Sequence, residues 1–351
     1  MSTHPVLPRF LFTLAACWIA LAGLPGTAQA QYSEDADLSD LRRTLDVMGK
    51  GYARGYVQPL TDAFGADMNS GFFRTANTDD GLLPFLPFDL YIGVNVSGVP
   101  TSELDDTFVP PAQETLSDGT VITFNGDRAP TVFGSTETPD DATLTVRDPD
   151  DGTEDTYAVP PGLIDAPVAP LVMPQVRIGS IWGTDAQVRY FPKSTLSAGG
   201  GSYGTVGLFG AAVRHSLDQW VPALPFHLAV QGAYTQFTLE NDVEVNSRVE
   251  SQEVVSAAGW AVNLHASRDL PVVPLTLYGG VQYERFEMDY SYTFDPPGTA
   301  APVGIALNQT GANTTRALAG ASLTLAFIRI NADYALGDAT NVLTTAIGLR
   351  L

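Results

Sequence analysis

"FDLYIGVNVSG", residues 88–98, alternates along its whole length. Phe88, Leu90, Ile92, Val94 and Val96 share one side of an extended chain, and Asp89, Tyr91, Gly93, Asn95 and Ser97 share the other. A soluble sheet would turn the apolar side inward. A membrane barrel would turn it outward to lipid and leave Asp89 and Asn95 in the lumen.

The texture recurs after Pro174. "QVRIGSI", "DAQVRYF", "YGTVGLFGAAVRH", "FHLAVQGAYTQF", "VVSAAGWAVNLHAS", "LTLYGGVQYERFEM", "TRALAGASLTLA", "IRINADYAL" and "VLTTAIGLRL" join the first stretch as ten strands of bilayer-spanning length. In Phe226–Phe237, Gln231 and His227 oppose Leu228 and Val230. In Leu275–Tyr283, Gln282 opposes Leu277 and Val281, and in Ile328–Leu336, Arg329 and Asp333 oppose Ile330 and Tyr334. A soluble sandwich also alternates, so length and connections decide. Soluble strands usually run about five or six residues, and several here are longer. Short links (182–183, 216–224, 267–274, 326–327) are interleaved with longer polar ones (193–202, 239–253, 291–313), as periplasmic turns and external loops would be. The link 337–341 departs from this pattern, being short on the external side. Trp182, Tyr190, Trp220 and Phe226 fall near strand ends, where interfacial aromatics belong.

The N-terminus reads as an export leader: Arg9, an apolar run from Phe10 to Leu24, and Ala28-Gln29-Ala30 as the cleavage site. "LAAC", ending at Cys17, is a lipoprotein-like box, but the apolar run continues past it. Cys17 is the only cysteine, so the exported chain holds no disulfide, thiol nucleophile or cysteine-bound metal. The formal net charge is −21. Residues 101–165 carry 15 acids against Arg128 and Arg147, which excludes nucleic acid as a partner.

The expected fold is therefore all-β: an antiparallel transmembrane β-barrel of about ten strands (8–14), with a short N-terminal helical segment and a long acidic external loop. Residues 1–30 are the leader. Residues 31–80 form a helical, plug-like segment with an amphipathic helix at Leu38–Met48 and a glycine-broken helix after it. Residues 84–351 form the barrel, with 100–173 as the acidic insertion. The expected lumen lining is Asp89, Asn95, Arg177, Asp185, Arg189, Gln231, Gln282, Glu284, Arg316, Arg329 and Asp333.

Four stretches, "YVQPLTDAFGADMNSGFFRTA" (56–76), "APTVFG" (129–134), "GTDAQVRYFP" (183–192) and "VRHSLDQWVPALPFHLAVQGAYT" (213–235), resemble an uncharacterised family of bacterial outer-membrane barrels. That family is loosely similar to the long-chain fatty-acid outer-membrane transporters. The resemblance implies a barrel whose N-terminal segment enters the lumen. It supplies no substrate.

Three motifs carry chemistry on paper. Ser202 in "GGSYG" matches a nucleophile elbow but lacks the strand before it and the helix after it, so no enzyme activity is expected. Asp148, Asp150, Asp151, Glu154 and Asp155 are dense enough to hold Ca²⁺ weakly, without EF-hand spacing; a solvated hairpin tip is the simpler account. His215, His227 and His265 would form a row able to bind Zn²⁺ if the intervening links centred on residues 221 and 246. No cofactor is expected. The expected partners are outer-membrane lipid, the barrel-assembly machinery and small solutes. Passive transport of small, including hydrophobic, solutes is the leading function, with surface interaction through the acidic loop as the alternative.

Overall fold

The computed structural model describes residues 49–78, 89–198, 201–221, 224–245, 248–294 and 303–350. The leader, the Cys17 box and the Leu38–Met48 helix lie outside the described residues. Ten strands form a closed ring: β1 (Asp89–Pro100), β2 (Val168–Ile181), β3 (Thr184–Ala198), β4 (Gly201–Ser216), β5 (His227–Val245), β6 (Arg248–Asp269), β7 (Leu275–Phe294), β8 (Thr315–Leu325), β9 (Ile328–Gly337) and β10 (Val342–Arg350). Each pairs antiparallel with the next, and β10 closes on β1 from Tyr91↔Arg350 to Gly98↔Leu343. A ring leaves no open edge, and full pairing is the condition for a sheet to cross a membrane.

The alternation of the opening stretch resolves as lipid outside, polar inside. Ile92 is 46% exposed whereas Asn95 is 1% exposed. Val176, Val188, Val230, Val262, Val281, Ile330 and Ile347 are likewise exposed on the outer wall. Exposed Tyr190, Phe209, Tyr234, Trp260, Tyr283 and Tyr334 mark one rim of this band, and Trp182, Trp220, Phe226 and Phe327, beside the short turns, mark the other. Two aromatic girdles bounding an apolar belt are the mark of a bilayer slab. The short turns lie at the periplasmic rim.

Beyond the external girdle the wall keeps rising on one side. β5, β6 and β7 run to 19, 22 and 20 residues. A further strand, Val303–Thr310, pairs with the distal half of β7. Residues 239–253 and much of 291–313, expected as loops, are thus mainly paired strand, because above the bilayer both faces can be polar and the lipid-side alternation fades. The wall stays low at the β9–β10 turn. The insertion also folds: Gln113–Thr115, Val121–Asn125, Thr143–Arg147 and Glu154–Ala158 form a four-stranded antiparallel sheet, and Thr107–Phe108 pairs with Ala129–Pro130. It ends where β2 begins at Val168, earlier than the expected 173. Its Glu103 clasps the low lip, accepting from the N–H and Nδ2 of Asn341, both at 2.9 Å.

Helix α1 (Lys50–Met68) is continuous, with Pro59 inside it, where a broken helix was expected. Each glycine costs a helix about 1 kcal/mol, but tertiary packing overrides that. A Cβ at Gly55 would lie 2.1 Å from the Phe108 ring, and one at Gly65 would lie 2.5 Å from the Phe286 ring. The main apolar core gathers around this helix at the external end. Tyr52, Tyr56, Val57 and Met68 meet Ile122, Phe124, Leu144 and Val146 of the insertion, and Leu239, Phe286, Tyr290 and Leu307 of the risen wall. Placing a side chain at a glycine contact should overpack this core. Gly65→Val is expected to lower unfolding free energy by about 1–3 kcal/mol, read as a shifted urea midpoint of the refolded protein. Gly232→Ala, where a Cβ meets nothing within 4 Å, should leave the midpoint in place.

Candidate functional site

Below α1 the chain continues through the barrel as residues 69–78, nearly all buried. This stretch is neither helix nor strand, so its backbone polar groups need partners from the wall. Arg189 donates from Nη1 to the Met68 carbonyl at 3.2 Å and from Nη2 to the Ser70 carbonyl at 2.6 Å. Arg316 donates from both terminal nitrogens to the Ala66 carbonyl at 3.1 Å and from Nη1 to Ser70 Oγ at 2.6 Å. Gln282 reaches the Asn69 carbonyl at 3.1 Å and Gln231 the Phe72 carbonyl at 3.3 Å. Nearer the periplasm, Arg214 donates to the carbonyls of Thr75 and Asn77, and the Ala76 N–H donates to Ser267 Oγ at 2.8 Å.

The last turn of α1 has no basic residue of its own. Arg189 and Arg316, reaching in from the wall, supply the positive charge that complements the carbonyl end of the helix dipole. Glu284 pairs with Arg316, and Asp185 pairs with Arg214 and, at 3.5 Å, with Arg177. Both acids are almost fully buried, so each must be paired to be tolerated at all. Rings complete the fill: the Arg189 guanidinium lies 3.5 Å above Phe72, that of Arg74 lies 3.7 Å above Tyr91, and Phe73 stacks on His265 at 4.2 Å. Beside Asn69, Arg316 and Asp333 the space left is a cavity of about 10 Å³, room for one water.

Asn95, Arg177, Arg189, Gln231, Gln282, Glu284, Arg316, Arg329 and Asp333 are all buried on the inner face. Asp89 shares their side of the wall, half-buried at the strand's start. Asn95 packs under Gly71: at φ +69° and with a Cβ position 2.0 Å from Asn95 Nδ2, no other residue fits there. Arg329 and Asp333 line the wall without touching the plug backbone. Arg329 donates to Thr324 Oγ1 at 3.2 Å, and Asp333 accepts from the Tyr278 hydroxyl at 2.9 Å. Sequence reading passed over Arg214 and Ser267. Arg214 follows Gly210-Ala211-Ala212, where neither side is distinctly apolar, and only the even-numbered burial of β4 reveals its facing.

The histidine row does not form. His215 pairs across with Val230, three residues beyond His227, and His265 pairs with Ala229. His215 sits at the rim against Thr184 and Gln219, His227 bonds Asp218 at 2.6 Å, and His265 is inside, bonded to Asn263 at 2.8 Å. The β4–β5 turn is longer than a centre at residue 221 allows. Nor do the insertion's acids form a Ca²⁺ cage. Asp148 accepts from the Asp150 N–H and Asp151 from Thr153, so the turn itself uses their oxygens. Among the described residues no cluster of histidine, aspartate or glutamate is arranged to hold a metal.

The profile of a family of unknown function, DUF6588, matches residues 9–351. The chain belongs to the DUF6588 family. No curated protein matches the sequence of this DUF6588 member. Among solved structures it is similar to Ail, the attachment invasion locus protein of Yersinia pestis (16% identity, 48% of this chain and 94% of that one, TM-score 0.22). It is also similar to a loop-deletion mutant of OmpT of Vibrio cholerae (12%, 74% and 76%, 0.23) and to the translocator domain of NalP from Neisseria meningitidis (12%, 78% and 90%, 0.25). The closed ring, lipid-facing belt and paired girdles make this DUF6588 protein an outer-membrane barrel.

Arg189→Met would strand two plug carbonyls. It is expected to cost about 2–4 kcal/mol in unfolding free energy and to speed amide exchange in residues 69–78. Arg285→Met, which breaks only an exposed pair with Glu287, should change neither in hydrogen-exchange mass spectrometry.

Proposed function

We propose that this protein is a constitutively closed barrel that works at the cell surface through its acidic, folded external cap. The observation that carries the reading is the threaded lumen: residues 69–78 fill it at membrane depth, with their carbonyls held by wall arginines and glutamines.

Energetics favour permanence. Opening the lumen by withdrawing the plug would drag α1 with it and unbury Tyr52, Tyr56, Val57, Leu60, Phe64 and Met68 from the external core. At roughly 1.5–3 kcal/mol per large apolar side chain, that is on the order of 10 kcal/mol. With 1.4 kcal/mol per decade, the open state would hold about 10⁻⁷ of the population. Displacing 69–78 alone would still cost several kcal/mol in charge-assisted hydrogen bonds. Passive transport of small or hydrophobic solutes would need an effector able to supply that difference.

The cap suits a cationic macromolecule. Its acids are mostly exposed and clustered at the hairpin tip around Asp148–Asp155, a field that speeds encounter with basic partners and falls off with salt. In planar bilayers the full chain should be electrically silent; a steady conductance would sink the closed-barrel reading. Whole cells should bind oligolysine in a salt-dependent manner. A variant with Asp148, Asp150, Asp151, Glu154 and Asp155 changed to their amides should bind about tenfold less at low salt, if two or three contacts of about 0.5 kcal/mol each are lost. Equal binding by both proteins would refute a partner site on the cap.

A further inference from the structure

We propose that the chain preceding Gly49 is carried across the outer membrane and displayed on its external face, so that the barrel anchors an outward-pointing N-terminus. The inference goes beyond the cap's own binding role and rests only on which end of the barrel is external.

The direction of α1 and the plug carries it. The first turns of the helix contact external parts alone. Gly51 N–H donates to Glu114 at 2.7 Å, the Tyr56 hydroxyl to the Pro161 carbonyl at 2.8 Å, and Gln309 to the Arg54 carbonyl at 2.8 Å. The insertion's Val132 N–H donates to the Tyr56 carbonyl at 3.0 Å. Further along, Thr61 meets Tyr290 on the risen wall. The helix then ends against Arg189 and Arg316, near the external girdle. Only afterwards does the chain descend, reaching Arg214 and Ser267 in the periplasmic half at Thr75–Asn77. From N to C, the chain therefore travels from outside to inside before β1 starts upward from the periplasmic rim.

Residues before Gly49 could return to the periplasm by two routes, and both are closed. A second pass through the lumen would lie beside residues 69–78, but a barrel of ten strands is narrow and the gap there holds about one water. A pass through lipid would leave an unpaired backbone in hydrocarbon. The same crowding fixes the order of events. The N-terminal part must be outside before β10 pairs with β1, because a finished ring with its plug seated admits no further chain.

Cysteine accessibility tests this directly in the full-length protein, with Cys17→Ser as background. Lys50 at the helix start, Asp150 on the cap and Gln219 in a periplasmic turn are all exposed. Each is replaced singly by cysteine, and heat-dependent electrophoretic mobility confirms the folded barrel. With a membrane-impermeant maleimide, Lys50→Cys and Asp150→Cys should label in intact cells as fully as after permeabilisation, and Gln219→Cys only after it. Labelling of Lys50→Cys only in permeabilised cells, with Asp150→Cys reactive from outside, would overturn the proposal while leaving the cap external. Reaction of Gln219→Cys but not Asp150→Cys in intact cells would invert the barrel and overturn both. An epitope inserted between Met48 and Gly49 gives an independent readout: antibody binding to intact cells is expected, and binding only after permeabilisation refutes the proposal.

Discussion

An irregular chain at membrane depth must have every carbonyl and N–H answered by protein, since hydrocarbon offers no partner and an orphan costs several kcal/mol. Residues 69–78 impose that requirement on this barrel, and much of the inner wall is organised to meet it. Arg189, Gln231, Gln282, Arg316, Arg214 and Ser267 come from five strands, yet each ends on successive backbone atoms of one segment. The buried acids Asp185 and Glu284 are secondary to this. They balance arginines whose first task is to hold the plug.

Two different physical regimes are stacked along the barrel axis. Within the bilayer the outer wall is apolar and the interior is polar, so packing between plug and wall is mainly hydrogen bonding and ring stacking. Above the external girdle water surrounds the wall, and the interior becomes an ordinary hydrophobic core of helix, insertion and strand extensions. The change occurs near Met68, where the helix stops and the extended plug begins. Burial within the membrane buys little hydrophobic free energy, because lipid is as apolar as the core. Most of the area-driven stabilisation of the helix must therefore come from the cap.

Sequence reading was strong where two conditions held together: a lipid-facing neighbour of high contrast and a polar residue inside. Asn95 between Val94 and Val96, and Gln231 after Val230, are legible for that reason. Arg214 was not, because glycine and alanine on both sides erase the contrast that period-two reading needs. The strand extensions of β5–β7 failed similarly: outside the bilayer neither face must be greasy, so paired strand looks like polar loop. Glycine count misled at α1, where Gly55 and Gly65 record close contact with Phe108 and Phe286 and not a break. The histidine row failed on turn length alone. A turn longer than assumed displaces every cross-strand partner, and no residue type announces it.

The outermost strand of the cap sheet, Glu154–Ala158, pairs on one side only, with Thr143–Arg147. Its other side is a row of backbone donors and acceptors, the kind of edge along which two proteins aggregate. Glu154 and Asp155 stand on that strand. Two copies meeting edge to edge would bring like charges together. In a crowded membrane, where barrels collide with caps at the same height, this repulsion is a barrier to lateral fibre growth. Part of the insertion's acidity thus keeps neighbouring molecules of the same protein apart.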